Sequence, residues 1–439
     1  MTAAKTISKY IVPSSDRAAA ITVWTLRVLV GAVFIFSGWV KAVDIWGGSY
    51  KIGEYAAVWG ITLPESILAL CAGILAMAEF LAGAMIALGC FRRMAVRLTA
   101  AFMAAMTLLT LYLWISDPVK DCGCFGDAVI LSNAATFWKN IAIDILLVIL
   151  WLNNHRAGTL VHTRLQWLAA IATAAYAGYI EYTGYDIQPV ADFRGYAPGQ
   201  TLAAAGDTDA GIRLVYAKDG REQAFAPDSL PDEDSGWEYV RRESTDAIDG
   251  GITFLSVDGD DVTADVIADE GPQAILLVPD PAHYGRTRSA MANELYDALE
   301  AHGGDMFAVV GADGDAATAW ADKVRAHYPV YTADDTDIKM LARGSGALVY
   351  LRDGRIIWKQ TTQSLPPDLG ISIMKDGTAI LDNPAAIDAL RLGTKTRHAT
   401  TYYLLVLAIL MASGFAPALR RLIDKQDTKR QPQQPRKDN

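Results

Sequence analysis

Cysteine and histidine are scarce in this chain. Four cysteines in 439 residues, Cys71, Cys90, Cys122 and Cys124, cannot build a disulfide scaffold. None lies beyond residue 185, so any thiol chemistry belongs to the first half. The chain also lacks a basic patch. Its net charge is -10, and its lysines and arginines sit in short clusters between apolar runs, which gives no support to nucleic-acid binding. No small-residue cleavage site follows the first apolar run, which therefore reads as a retained anchor, and no lipobox or other lipidation signal is present. The acidic clusters Asp258 to Asp261 and Asp334 to Asp337 lack the Gly and Glu spacing of a calcium loop and read as solvated surface.

What the chain has is apolar sequence. Hydrophobic residues make up 52% of it, with 11 Trp and 18 Tyr, more than a soluble protein of this length carries. Runs near the ~20 residues that cross a bilayer fall at 21–40, 66–89, 96–115, 137–152, 166–183 and 401–419. The fourth run is short, so its helix is expected to start inside the preceding loop or to span with Trp138 and Lys139 snorkelling at its end.

Charge divides along the same lines. Residues 185–396 carry 36 acidic and 18 basic side chains, a net -18, leaving +8 for the rest of the chain. Basic clusters precede the first run, join the second to the third and the fourth to the fifth, and follow the sixth. All four fall on one side of a six-span topology. The expected protein is therefore multi-pass in the cytoplasmic (inner) membrane, with both termini cytoplasmic and residues 185–396 exported. Its expected segments are a cytoplasmic N-terminus (1–20), a four-helix core (21–155), a fifth helix (166–183), the exported domain (185–396), a sixth helix (401–419) and a basic cytoplasmic tail (420–439).

The exported segment reads as α/β. Hairpins are expected at Ile212 to Phe225 and at Thr253 to Val262. A buried strand at Ala274 to Pro279 leads to a helix at Arg286 to Ala301, and a strand at Met306 to Gly311 leads to a helix at Ala316 to His327. A closing hairpin, Ala347 to Arg352 with Arg355 to Gln360, turns at Asp353-Gly354. From about residue 253 this order resembles a thioredoxin-like fold. Its chemical parts are absent. His283-Tyr284-Gly285-Arg286-Thr287 stands where a redox CxxC would be, and Ser345-Gly346-Ala347 where a cis-proline would be.

The remaining chemistry centres on DCGCFGD, Asp121 to Asp127. Two thiols one residue apart close a small strained ring, so a Cys122–Cys124 disulfide would be easily reduced, and Gly123 permits the unusual backbone this needs. Two other readings stand beside this redox pair. The cysteines fill a tight turn, with Phe125 inserted in the bundle and Asp121 and Asp127 capping helices; or two thiolates and an aspartate hold a metal, against which neither outer loop contains a histidine. Cys71, a few residues into the second span, is a third candidate thiol or a small apolar filler, and Cys90 falls at the far end of the same helix as a bystander. Arg27, Lys41, Glu79 and Asp144 are ionisable groups within the spans and functional candidates by default, and Glu79 and Asp144 fall near mid-membrane. They form either a proton path for thiol oxidation or a buried ion pair, with Arg27 available to neutralise one of them. Cys71 and Glu79, eight residues apart, are expected to share a helix face.

Together with SGWVKAVD (Ser37 to Asp44) and YKIGEY (Tyr50 to Tyr55), the DCGCFGD string resembles the MauE/DoxX family of redox-associated membrane proteins over about residues 20–155. The resemblance implies a four-helix membrane core. For MauE itself it implies a part in methylamine utilisation, assisting disulfide formation and maturation of methylamine dehydrogenase. Only Cys122 and Cys124 match the motif that carries this role, and nothing in the sequence identifies methylamine as a substrate.

The expected function is an integral membrane thiol–disulfide redox protein, a possible oxidoreductase, whose partners are the lipid bilayer and an exported protein thiol. The alternatives are a non-enzymatic envelope scaffold or a subunit of a quinone-linked membrane oxidase. No haem or quinone motif is visible, and the cofactor is left unassigned between none and a quinone.

Overall fold

Leu, Ala, Ile and Met fill the first half in runs whose charges gather at the ends, and such runs satisfy their backbone groups as helices when water is excluded. In the computed structural model, which describes residues 17–119, 121–202, 212–218, 221–225, 237–244, 252–267, 270–284, 286–383 and 398–414, they form α1 (Arg17–Val43), α2 (Ile45–Val58), α3 (Glu65–Leu88), α4 (Arg92–Ser116), α5 (Asn133–Asn153) and α6 (Gln166–Asp186). A further helix follows at His398–Gly414. Two units divide the chain: Met1–Gly184 with Lys395–Asn439, and Tyr185–Thr394.

Four segments are long and apolar enough to cross a membrane: Ala18–Val43, Glu65–Leu88, Arg92–Ser116 and Asn133–Arg156. These are the first four expected spans. The fourth begins earlier than its apolar run because Ser132 caps it, the Ser132 side chain accepting from Ala135 N at 3.3 Å. The fifth and sixth expected spans are both helices, though neither belongs to that set of four. The last is described over 17 residues, and its expected continuation to residue 419 lies outside the described residues, as do the N-terminus to residue 16 and the basic tail.

Close packing of α1 on α3 fixes the bundle. A Cβ on Gly38 would stand 2.3 Å from Phe80 N, and one on Gly83 would stand 2.5 Å from Ile35 N, so the two backbones meet only because these positions carry no side chain. Val30 and Phe34 of α1, Ile86 of α3, Met103 of α4, and Leu147 and Leu150 of α5 build the core between the four helices.

The second unit contains two sheets. β1 (Ile212–Lys218), β2 (Arg221–Phe225) and β3 (Glu238–Ser244) form an antiparallel sheet in the order β2-β1-β3. The second sheet has the order β6-β5-β4-β7-β8, with β4 (Pro272–Val278), β5 (Asp305–Val310), β6 (Val330–Thr332), β7 (Ala347–Arg352) and β8 (Arg355–Thr361). β4, β5 and β6 run parallel, whereas β7 and β8 run antiparallel to their neighbours. Between them lie α7 (Thr263–Val266), α8 (Arg286–Glu300), α9 (Gly314–Val324), α10 (Asp335–Leu341) and α11 (Leu369–Asp376). β4 is central, and its residues from Gln273 to Val278 are all buried. Ala274, Leu276 and Val278 face one core, and Ile275 and Leu277 the other, the two-sided burial expected of a covered sheet.

The strand–helix alternation and the closing hairpin stand where the sequence predicts them, and the unit is thioredoxin-like. Asp353 (φ 52°) and Gly354 (φ 67°) make the hairpin turn. The predicted hairpin at Thr253 to Val262 forms as a short one: Leu255 bridges Asp261, Ser256 N donates to Asp260 O at 2.8 Å and Val262 N to Phe254 O at 2.9 Å. β3, β6, α10 and α11 carry no clear signal in the sequence. Where a redox motif would sit, Tyr284 is buried, and a Cβ on Gly346 would lie 2.7 Å from its ring. The Asp334 to Asp337 cluster, expected as plain surface, begins α10: Asp334 is its N-cap and accepts from Thr336 N at 2.8 Å.

Candidate functional site: a two-thiol cavity

α1, α2, α3, α4 and α5 enclose a largely apolar cavity of about 260 Å³, and the 121–127 loop closes one end with Cys122, Gly123, Cys124 and Phe125 in its wall. Both cysteines are free thiols. Gly123 takes φ +63°, and a Cβ there would stand 2.7 Å from Lys51 Cγ, so the position needs glycine for its backbone and for space. Gly123 N donates to Asp121 Oδ1 at 2.8 Å, which closes the turn locally. Asp121, expected to cap a helix, caps its own loop instead.

α2 holds the loop down. Tyr55 donates its hydroxyl to the Cys122 carbonyl at 2.6 Å, and Lys51 bridges Glu54 at 2.8 Å and Asp121 at 3.3 Å. Burial and the neighbouring Cys122 and Cys124 push the Tyr55 phenol up, so it stays a proton donor. From beneath, Ser37 Oγ lies 2.8 Å from the Cys124 carbonyl oxygen and 2.6 Å from Glu79 Oε2. Lys41 Nζ donates to Ser37 at 2.9 Å and pairs with Glu79 at 2.7 Å. Phe125 rests on Phe36, ring centroids 5.6 Å apart, and the Lys139 ammonium stands 4.3 Å from its ring centroid.

The two thiols are not equivalent. The hydrogen-bonding interaction with Cys124, then burial, hold the Cys122 thiol well above the usual range. The same bond lowers Cys124 to about 7; burial opposes this, and the Lys139 and Lys41 ammonium groups favour it.

Residues 19–153 match the family model of the methylamine utilisation protein MauE. Over these residues the helical core is similar to the MauE family. Residues 211–246 match a domain of unknown function, DUF8463, and no curated protein matches the chain. Among solved structures, peroxiredoxin Q of Xanthomonas campestris, the bacterioferritin comigratory protein, is 12% identical and aligns over 29% of this chain and 90% of its own, with a TM-score of 0.24. A secreted Mycobacterium tuberculosis disulfide oxidoreductase homologous to E. coli DsbE is 15% identical over 24% of this chain and 80% of its own, with a TM-score of 0.21.

Within this helical core, Cys122, Cys124 and Glu79 share one cavity. The other sequence candidates stand apart from it. Cys71 is exposed on α3 whereas Glu79 is 6% exposed: eight residues advance about 80° beyond two full turns, enough to separate their faces. Asp144 lies outside the cavity wall and accepts from Thr107 Oγ1 at 2.6 Å, so it does not pair with Glu79. Arg27 neutralises neither carboxylate. It donates to Asn154 Oδ1 and to the Gly158 carbonyl, both at 2.6 Å. Cys90 is buried beside Arg27, away from the loop. Lys41, an ionisable candidate in the sequence, is a member of the site. Reading the sequence residue by residue missed Ser37, Lys51, Tyr55 and Lys139, although the first three lie in the SGWVKAVD and YKIGEY segments. Among the described residues no group of three or more His, Cys, Asp and Glu is placed to hold a metal.

Proposed function

We propose that this protein is an integral membrane thiol–disulfide redox protein that supports disulfide formation or maturation of exported partners through Cys122 and Cys124. The observation that carries this reading is geometric: the free thiols of Cys122 and Cys124 stand in one cavity wall, on the two sides of a left-handed Gly123, and Lys41 and Lys139 line the same cavity.

In the direction that oxidises the partner, the Cys122–Cys124 disulfide is opened by a partner thiolate that attacks Cys124 Sγ. The Cys122 sulfur leaves and takes a proton. The partner's second thiolate then attacks the partner's own sulfur in the mixed disulfide and releases Cys124 as a thiolate, favoured as a leaving group by its low pKa. The partner gains one disulfide, and the pair gains two electrons. In this reading Glu79, which lines the same cavity as the two thiols, takes or returns a proton as the charge of the pair changes. In this reading the 121–127 loop faces the outside of the cytoplasmic membrane, where oxidising chemistry occurs. The thioredoxin-like domain, with Tyr284 and Gly346 in place of redox parts, holds a partner or an assembly factor.

Thiol trapping in intact membranes tests the reading. Alkylation with and without prior reduction should show Cys122 and Cys124 cycling between thiol and disulfide, and Cys122→Ser should accumulate a mixed disulfide on Cys124. A pair that never changes redox state, or single variants that leave envelope disulfides untouched, would sink it.

A further inference from the structure

The thiol cavity is one of two. A second cavity, about 380 Å³ and almost wholly apolar, lies among α1, α3, α4 and α6, and Phe34, Glu79 and Phe102 line both. Its other wall residues include Leu98, 58% exposed, and Met94, 59% exposed. Both lie on the spanning helix α4, so they face hydrocarbon when the helix lies in a bilayer. A pair that has oxidised a partner holds two electrons, and these must leave to a two-electron acceptor. The space that reaches the thiols through apolar walls admits a membrane-dissolved acceptor and disfavours a charged water-soluble one.

Resting on the redox reading above, we propose that the acceptor is an isoprenoid quinone whose ring enters the thiol cavity and whose tail lies in the second cavity, past Phe34 and Phe102. The volumes suit a ring in the first space and the initial isoprene units in the second. The first space also supplies what a quinone needs as it takes on charge: Lys139 and Lys41 donate hydrogen bonds to its oxygens, and Glu79 handles protons at the shared wall. The reaction balances. Cys122 and Cys124 lose two electrons and two protons and join in an S–S bond, while the quinone gains both and leaves as the hydroquinone to the bilayer.

The test uses the full chain, reduced and embedded in phospholipid nanodiscs. A fully substituted benzoquinone with a decyl chain, which cannot alkylate thiols at an open ring position, is added in one arm and the small oxidant diamide in the other. Disulfide formation is read by alkylation mass and hydroquinone by absorbance. The proposal expects one hydroquinone per disulfide in the quinone arm. Ala95→Phe and Ala82→Phe, which fill the second cavity, should slow that arm at least tenfold and leave the diamide arm unchanged. Oxidation of the pair by diamide but not by the quinone overturns the quinone assignment and leaves the redox reading standing. So does quinone-driven oxidation that both filled variants carry out as fast as the parent. A pair that neither oxidant closes into a disulfide removes the redox reading and the quinone with it.

Discussion

Their shared interaction moves Cys122 and Cys124 in opposite directions, the first thiol up and the second down. The low range of Cys124 depends first on its interaction with Cys122, so removing that partner should restore an ordinary thiol. In Cys122→Ala, the midpoint of Cys124 alkylation against pH should move from about 7 toward the usual value near 9, with slower alkylation at neutral pH; bromobimane labelling rates measure this. An unchanged midpoint would transfer the effect to the lysines. The sign for stability follows. A fold that favours the Cys124 thiolate gains from it as pH rises past about 7, whereas the raised Cys122 thiol costs stability as pH rises beyond the ordinary thiol range, so the two oppose each other in alkali. The sequence showed the pair and the glycine between its members. It could not show which thiol is raised and which lowered, because that is set by the path of the loop against α1, α2 and α5.

At the scale of elements, α1 and α3 place the site. Glu79 reaches Ser37 and Lys41 because Gly38 lets the two helices touch along their backbones. A single methyl there meets backbone atoms that cannot rotate away. Gly38→Ala should cost about 1–3 kcal/mol, the usual penalty of overpacking, and should lower redox turnover by spreading Lys41 from Glu79. A thermal melt in detergent and a thiol-trapping assay read the two effects; a variant as stable and as active as the parent would show that the helices have room to part. α2 was legible only as the segment that carries YKIGEY. Its work as a clasp, Tyr55 on the Cys122 carbonyl and Lys51 on Asp121, requires it to fold back beside a loop some seventy residues later, and no local pattern specifies that return.

Hydropathy and charge govern the molecule as a whole. The +8 and -18 division predicts an orientation: a reporter fused after Arg420 should behave as cytoplasmic, and one inserted near Asp232 as exported. The reverse result would overturn the charge argument. The sequence by itself determined the four spans, the strand–helix alternation of the second unit, its Asp353-Gly354 hairpin and the lack of redox cysteines there, because each is set by local periodicity, turn chemistry or composition. Tertiary structure alone decided the rest. It paired Glu79 with Lys41 instead of Arg27, turned Cys71 out of the cavity, left Asp144 with Thr107, and brought Lys139 to the loop. The physical reason is common to all four. A buried charge is satisfied by whichever group the packing brings within about 3 Å, and which helices touch, and on which faces, depends on where small residues let backbones approach.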